Sequence, residues 1–138
     1  MLHLVDEDTN AFNKIMNAFG LPKKTDEDKA KRHQAIQDAT KYAIEVPFKT
    51  LQRSFDCFEI CKQMVETGNP NSVTDAAVGI LCARTACIGA FMNMKINCGS
   101  LEDKAFVEDI LAKGQKLVDE ACEIEKEYTA KVMEIISK

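Results

Sequence analysis

The stretch AAVGILCARTACIGAFMNM, residues 76–94, is apolar almost all the way round a helical wheel, so what surrounds it decides the fold. Two environments accept such a helix: the inside of a bundle, or a bilayer whose hydrocarbon core takes roughly 20 apolar residues to cross. Arg84 stands mid-stretch, where a bilayer would penalise it by about 2.5 to 3.5 kcal/mol even on the mildest insertion scale. Gly79, Ala83, Ala86 and Gly89 instead offer a small-residue surface on which neighbouring helices can close. The flanking segments settle the choice, because each is amphipathic and needs an apolar partner. The stretch reads as the buried central helix of a bundle, with no membrane partner.

Working towards the amino terminus, GNPNSVTDAAVG (residues 68–79) is a short loop running into that helix. Asn71 or Ser72 serves as its N-cap, and Asp75 lies in its first turn, where a negative charge suits the helix dipole. Before the loop, Leu51, Phe55, Phe58, Cys61 and Val65 recur at three- and four-residue intervals from Pro47 to Gly68. Val46, preceding proline, is biased away from helical geometry. A boundary or kink is therefore expected there, closing a separate helix that holds Ala35, Ile36, Ala39 and Ala43. That helix starts near Asp26 on a Thr25–Asp28 capping box, after Gly20 and Pro22 have ended a first helix near Phe19.

Towards the carboxyl terminus, Ser100 and Asp103 form a second capping-box pair. Phe106, Ile110, Leu117, Ala121, Ile124, Tyr128, Val132 and Ile135 then continue the apolar rhythm almost to the end. A helix of about 35 residues is roughly 50 Å long, more than a compact monomer of this size can cover. Its far end is expected on a second subunit or on sequence outside this chain. The fold class is all-α: one domain over residues 1–138, a five-helix bundle with a buried central helix and a long C-terminal helix.

Composition narrows the function. Eighteen Lys and Arg against 22 Asp and Glu give a net charge of −4, and no basic block is present to neutralise a row of phosphates, so nucleic acid is not an expected partner. The six cysteines sit inside apolar helical patterns behind an amino terminus that does not read as a signal peptide. A reducing cytoplasm is the expected location, with the thiols acting as small core hydrophobes. Neither Cys57–Cys61 nor Cys82–Cys87 has zinc spacing, and His3 and His33 lie far from both pairs, so no metal is expected. Nucleotide loops and Ser-His-Asp arrangements are absent from the pattern.

The first helix carries the most chemistry. Val5, Phe12, Ile15, Met16 and Phe19 fall on one broad apolar face, while Asp6, Asn10, Asn13 and Asn17 form a polar stripe. Asp8 belongs to neither, projecting between Phe12 and Ile15 on the side expected to be buried; the plain alternative is a helix-start acid, favoured by the dipole and facing solvent or a salt bridge. The Asp6–Asn10 stripe suits either the edge of a polar ring or a bridge to another helix. Asn69, Asn71 and Asp75 each have a plain local role as turn formers or first-turn acid. Asn93 and Asn97, near the end of the apolar helix, need partners if buried, either a ligand or the backbone of another segment. Arg84 needs a carboxylate, from Asp75, from another helix or from a ligand.

Four stretches together, LVDEDTNAFNKIMNAFGLPKKT, AIQDATKYAIEVP, GNPNSVTDAAVG and GAFMNMKIN, resemble successive motifs of the cyclodeaminase family, which includes formiminotetrahydrofolate cyclodeaminase and related methenyltetrahydrofolate cyclohydrolases. The likeness runs in order from Leu4 to about residue 110. It implies a helical homodimer that takes a tetrahydrofolate derivative as substrate in a groove between subunits, with no metal and no separate cofactor. The reaction implied is closure of a formimino group onto N10 with release of ammonia, giving 5,10-methenyltetrahydrofolate. Hydrolysis of that methenyl product by the same scaffold is the alternative, and a non-catalytic folate-binding or dimerising module is another. The family's glycine-rich front segment of the type P-G-G-G-S has no counterpart here, so a truncated or shortened relative is expected.

Under the resemblance, Asp8 matches the second acid of the family's VDxD motif and takes the role of proton donor. Ammonia leaves only when the amine on the tetrahedral carbon is protonated, and a carboxyl desolvated among Phe12 and Ile15 would keep its proton nearer neutral pH. Asp6, Asn10, Asn69, Asn71, Asp75, Asn93 and Asn97 are the implied substrate-binding residues.

Overall fold

The computed structural model describes residues 2–138. Its regular structure is helical: α1 (Leu2–Phe19), α2 (Asp26–Thr67), a 3-10 turn (Pro70–Ser72), α3 (Val73–Cys98) and α4 (Lys104–Ile136). Four α-helices replace the five expected, because α2 runs unbroken through Pro47. Proline removes one backbone donor and should strand the carbonyl four residues earlier. Here the Asn97 side chain of α3 donates to that carbonyl, Ala43 O, at 2.8 Å, so the helix continues at 42 residues.

Local signals set most of the ends. Thr25 Oγ1 accepts from the Asp28 N–H at 3.0 Å while Asp28 accepts from the Thr25 N–H at 3.1 Å, the reciprocal box expected at the start of α2. Gly68 closes α2 by donating to the Met64 carbonyl. Ser72 stands at the N-cap of α3 but makes no capping bond; Asn69 caps the 3-10 turn instead, accepting from the Asn71 N–H at 3.0 Å. At α4 the cap is Asp103 rather than Ser100. Its carboxylate accepts from the Phe106 N–H and pairs with Lys41, and these two bonds, the first above all, hold it below the usual carboxylate range.

α3 packs between α2 and α4. Ile44, Leu51 and Phe58 of α2, Ile80, Cys87 and Met94 of α3, and Ile110, Ala121 and Val132 of α4 form one continuous core. The α3–α4 connection is pinned by buried Leu101 and by Gln37, whose side chain donates to Ser100 O and accepts from the Glu102 N–H. α1 packs chiefly on α2, through a small cluster of Ala11, Ala43 and Val46 with Ile15 and Tyr42 at its edge.

Two expectations about burial are corrected. α3 is enclosed on one face only: Val73, Ala76, Ile80, Ala83, Cys87, Ala90 and Met94 point inward, whereas Met92 is 64% and Ile96 77% exposed. α3 and the turn before it are long and apolar enough to cross a membrane, yet the inner face belongs to the core. On α1 the small residues Ala11 and Ala18 are buried, while Val5, Phe12, Met16 and Phe19 are exposed. The wheel contained two apolar faces, and the narrower meets α2. Asp8 is accordingly exposed in the single chain rather than buried.

Candidate functional site

Where the first turns of α1 cross the middle of α2 and the end of α3, a cleft of about 410 Å³ opens. Leu2, Leu4, Val5, Asp8 and Thr9 of α1 form one wall, Pro47 and Thr50 of α2 the floor, and Ala90 and Asn93 of α3 the other wall. Most of the lining is apolar. Asp8 supplies the carboxyl, Asn93 an amide, and Thr9 and Thr50 two hydroxyls. The hydroxyls donate within their own helices, Thr9 Oγ1 to Val5 O at 3.1 Å and Thr50 Oγ1 to Val46 O at 3.2 Å, which leaves their lone pairs as acceptors. A single acid, an amide and hydroxyl acceptors in a largely apolar cleft can hold a small molecule and exchange a proton with it.

Beside it, Glu7 anchors the start of α1 to α2. Its side chain accepts from Lys49 Nζ at 3.3 Å, and His3 Nε2 lies 3.2 Å from its other oxygen. Lys49, Gln52, Arg53 and Asp56 line an adjoining polar hollow with His3, Leu4 and Glu7. The pairing holds Glu7 against α2 and leaves its neighbour Asp8 for the cleft.

Of the residues singled out from the sequence, Asp8 and Asn93 are brought together in the cleft. Asp6 and Asn10 are exposed on α1 outside it. Asn69, Asn71 and Asp75 lie at the opposite end of α3, where Asn69 caps the 3-10 turn and Asp75 sits in the first turn of α3. The 18 residues from Asp75 to Asn93 span roughly 27 Å at 1.5 Å per residue, so the two groups do not share a site within one chain. Asn97 turns its amide towards Ala43 O, the backbone alternative of its two readings. Arg84 is half-exposed, its Nε buried without a hydrogen bond and 3.9 Å from Glu125 Oε2 on α4, a long ion pair with a carboxylate on another helix.

Pro47 and Thr50 were not marked by the sequence as site residues. Proline read as a break, and nothing local shows that a break repaired from another helix would become a floor. Among the described residues, no group of three or more His, Cys, Asp or Glu is arranged to hold a metal ion. The expectation of core thiols holds for buried Cys87 and Cys98 and for half-buried Cys57, Cys61 and Cys122, but Cys82 is exposed; burial raises Cys61 and Cys98, and lifts Cys87 to about 11.

The chain is similar in sequence and fold to known proteins. A family model described as formiminotransferase-cyclodeaminase matches residues 1–116. A methenyltetrahydrofolate cyclohydrolase of Methylorubrum extorquens is 36% identical over 118 residues, 86% of this chain and 57% of that protein. The formimidoyltransferase-cyclodeaminase of Gallus gallus is 30% identical over 138 residues, all of this chain and 25% of that one. The chain thus spans little more than half of one relative and a quarter of the other. The crystal structure of formiminotetrahydrofolate cyclodeaminase from Thermotoga maritima superposes with a TM-score of 0.73 at 20% identity, over 95% of this chain and 63% of that chain, a likeness of fold. With a family model covering most of the sequence and the fold in agreement, the chain belongs to the formiminotransferase-cyclodeaminase family.

Proposed function

We propose that this chain is a folate-dependent one-carbon enzyme, a formiminotetrahydrofolate cyclodeaminase, with Asp8 as its proton donor. The observation that carries the reading is the placement of Asp8 in an apolar cleft opposite Asn93, in a chain of this family. In the reaction, N10 attacks the formimino carbon on N5 and its proton moves to the former imine nitrogen. Asp8 then gives a proton to that amine; the C–N bond breaks, ammonia departs, and 5,10-methenyltetrahydrofolate remains as a cation. Asn93 and the hydroxyl oxygens of Thr9 and Thr50 orient the ring system, and no metal or separate cofactor takes part.

Asp8 is exposed in the single chain, and a proton donor for this step needs a drier setting. A second copy supplies it in this reading. The exposed apolar residues of α1 and α3 form the contact, and the turn around Asn69, Asn71 and Asp75 of one copy completes the groove beside Asp8 of the other. The protein then works as a homodimer in the cytoplasm, with Asp6 and Asn10 at the rim of the groove.

Hydrolysis of the methenyl compound is the second reading. It is supported by the 36% identity to a methenyltetrahydrofolate cyclohydrolase, a level that one cyclodeaminase relative approaches at 35%. One experiment separates them: the protein is given 5-formiminotetrahydrofolate or 5,10-methenyltetrahydrofolate, and the methenyl absorbance is followed. Growth of the band from the first substrate supports deamination. Its decay above the uncatalysed rate supports hydrolysis, and no change with either means a module without chemistry. Replacing Asp8 with Asn should leave the helical fold intact and lower turnover by roughly 10² to 10⁴, the usual contribution of a general acid.

A further inference from the structure

We propose that Asn97 is a positioning residue: by serving the carbonyl that Pro47 strands, it fixes α2 against α3 and so sets the width of the cleft holding Asp8. Residue 47 of an uninterrupted helix would donate its N–H to the carbonyl of residue 43, and proline has no N–H. Ala43 is buried in the cluster on which α1 rests, where an unserved carbonyl is costly. Asn97 Nδ2 reaches it at 2.8 Å, a short bond for an N–H donor.

The bond links two walls of the site. Pro47 and, one turn on, Thr50 form the floor of the cleft, and Asn93, one turn before Asn97 on α3, lines it together with Asp8. The Asn97 bond therefore sets the register between the helix that carries the floor and the helix that carries Asn93. The proline is what makes it necessary, since any other residue at position 47 would serve Ala43 O from within α2. Asn97 itself does not line the cleft. Its influence on folate turnover rests on the function proposed above, whereas its pairing with Pro47 is independent of it.

The test is a double-mutant cycle in which melting temperature and, where turnover is present, kcat/KM are measured for wild type, Pro47→Ala, Asn97→Ala and the double variant. Asn97→Ala alone should lower Tm by roughly 5 °C and kcat/KM by roughly ten- to a hundredfold. In the Pro47→Ala background, where the new N–H serves Ala43 O and the tie to α3 is already lost, the same replacement should lower Tm by about 1 °C or less and lower kcat/KM no further. Should Asn97→Ala fail to fold, recovery of a cooperative transition in the double variant supports the proposal, and failure of both overturns it. Equal losses in the two backgrounds, in Tm or in kcat/KM, also overturn it, since Asn97 would then act directly on core or substrate. A cycle that couples in Tm while no variant turns over folate would sink the proposed function and leave the Asn97–Pro47 assignment standing.

Discussion

At Gly114 of α4 a methyl group has nowhere to go. An ideal Cβ there would lie 2.9 Å from two ring carbons of buried Phe91 and 3.1 Å from Met94 Cε. Alanine improves helix propensity by up to about 1 kcal/mol, but overpacking a closed contact costs about 1–3 kcal/mol, so Gly114→Ala should destabilise, seen as a lower urea midpoint at unchanged m-value. Asp8 shows the other side of residue-scale reading. Its place between Phe12 and Ile15 was legible on the wheel. Its burial was not, because two apolar faces lie side by side on α1 and a wheel cannot say which one meets this chain. Asn97 was likewise legible as an amide in need of a partner, but not its partner, which lies 54 residues away.

Several helix ends that depend on their own few residues were readable, since Phe19 before Gly20, the Thr25–Asp28 box and Gly68 stand where the sequence puts them, whereas Ser72 makes no capping bond and the Ser100–Asp103 box does not form. Pro47 was misread because its remedy comes from another element. The far end of α4 is held in a similar non-local way, by Tyr128, whose hydroxyl donates to Glu66 of α2 at 2.6 Å with Lys131 alongside at 3.3 Å. The hydrogen bond to Glu66 is the main cause that lifts the Tyr128 phenol from 10.0 to about 12. The same bond, with Lys131, holds the Glu66 carboxyl below 4.5. The signs follow from linkage. The raised phenol contributes stability that is whole below pH 10 and lost as pH climbs towards about 12; the lowered carboxyl contributes stability present above pH 4.5 and lost as pH falls below it. Tyr128→Phe should remove this alkaline loss and weaken the acid one, as measured by thermal melts across both ranges, with only a small fall in Tm at neutral pH because Glu66 is open to solvent.

For the molecule as a whole, the open question posed by its surface is what covers the second apolar face. Val5, Phe12, Met16 and Phe19 on α1 and Val78, Leu81, Met92 and Ile96 on α3 are all exposed, and exposed apolar surface on this scale marks an association site. The sequence indicated that α3 needs company on every side, but composition cannot tell whether the cover is this chain or another. Sedimentation equilibrium should give a dimer, and Met92→Glu should shift it to monomer by placing a charge at the contact; a wild-type monomer at all concentrations would contradict that assembly. The central claim is that Asp8 protonates the departing nitrogen, and it is tested most directly by following methenyltetrahydrofolate absorbance from 5-formiminotetrahydrofolate with wild-type protein and with Asp8→Asn. The account predicts a growing band with the first and, with folded Asp8→Asn, a rate lower by roughly 10² or more; an Asn variant as fast as wild type would contradict it.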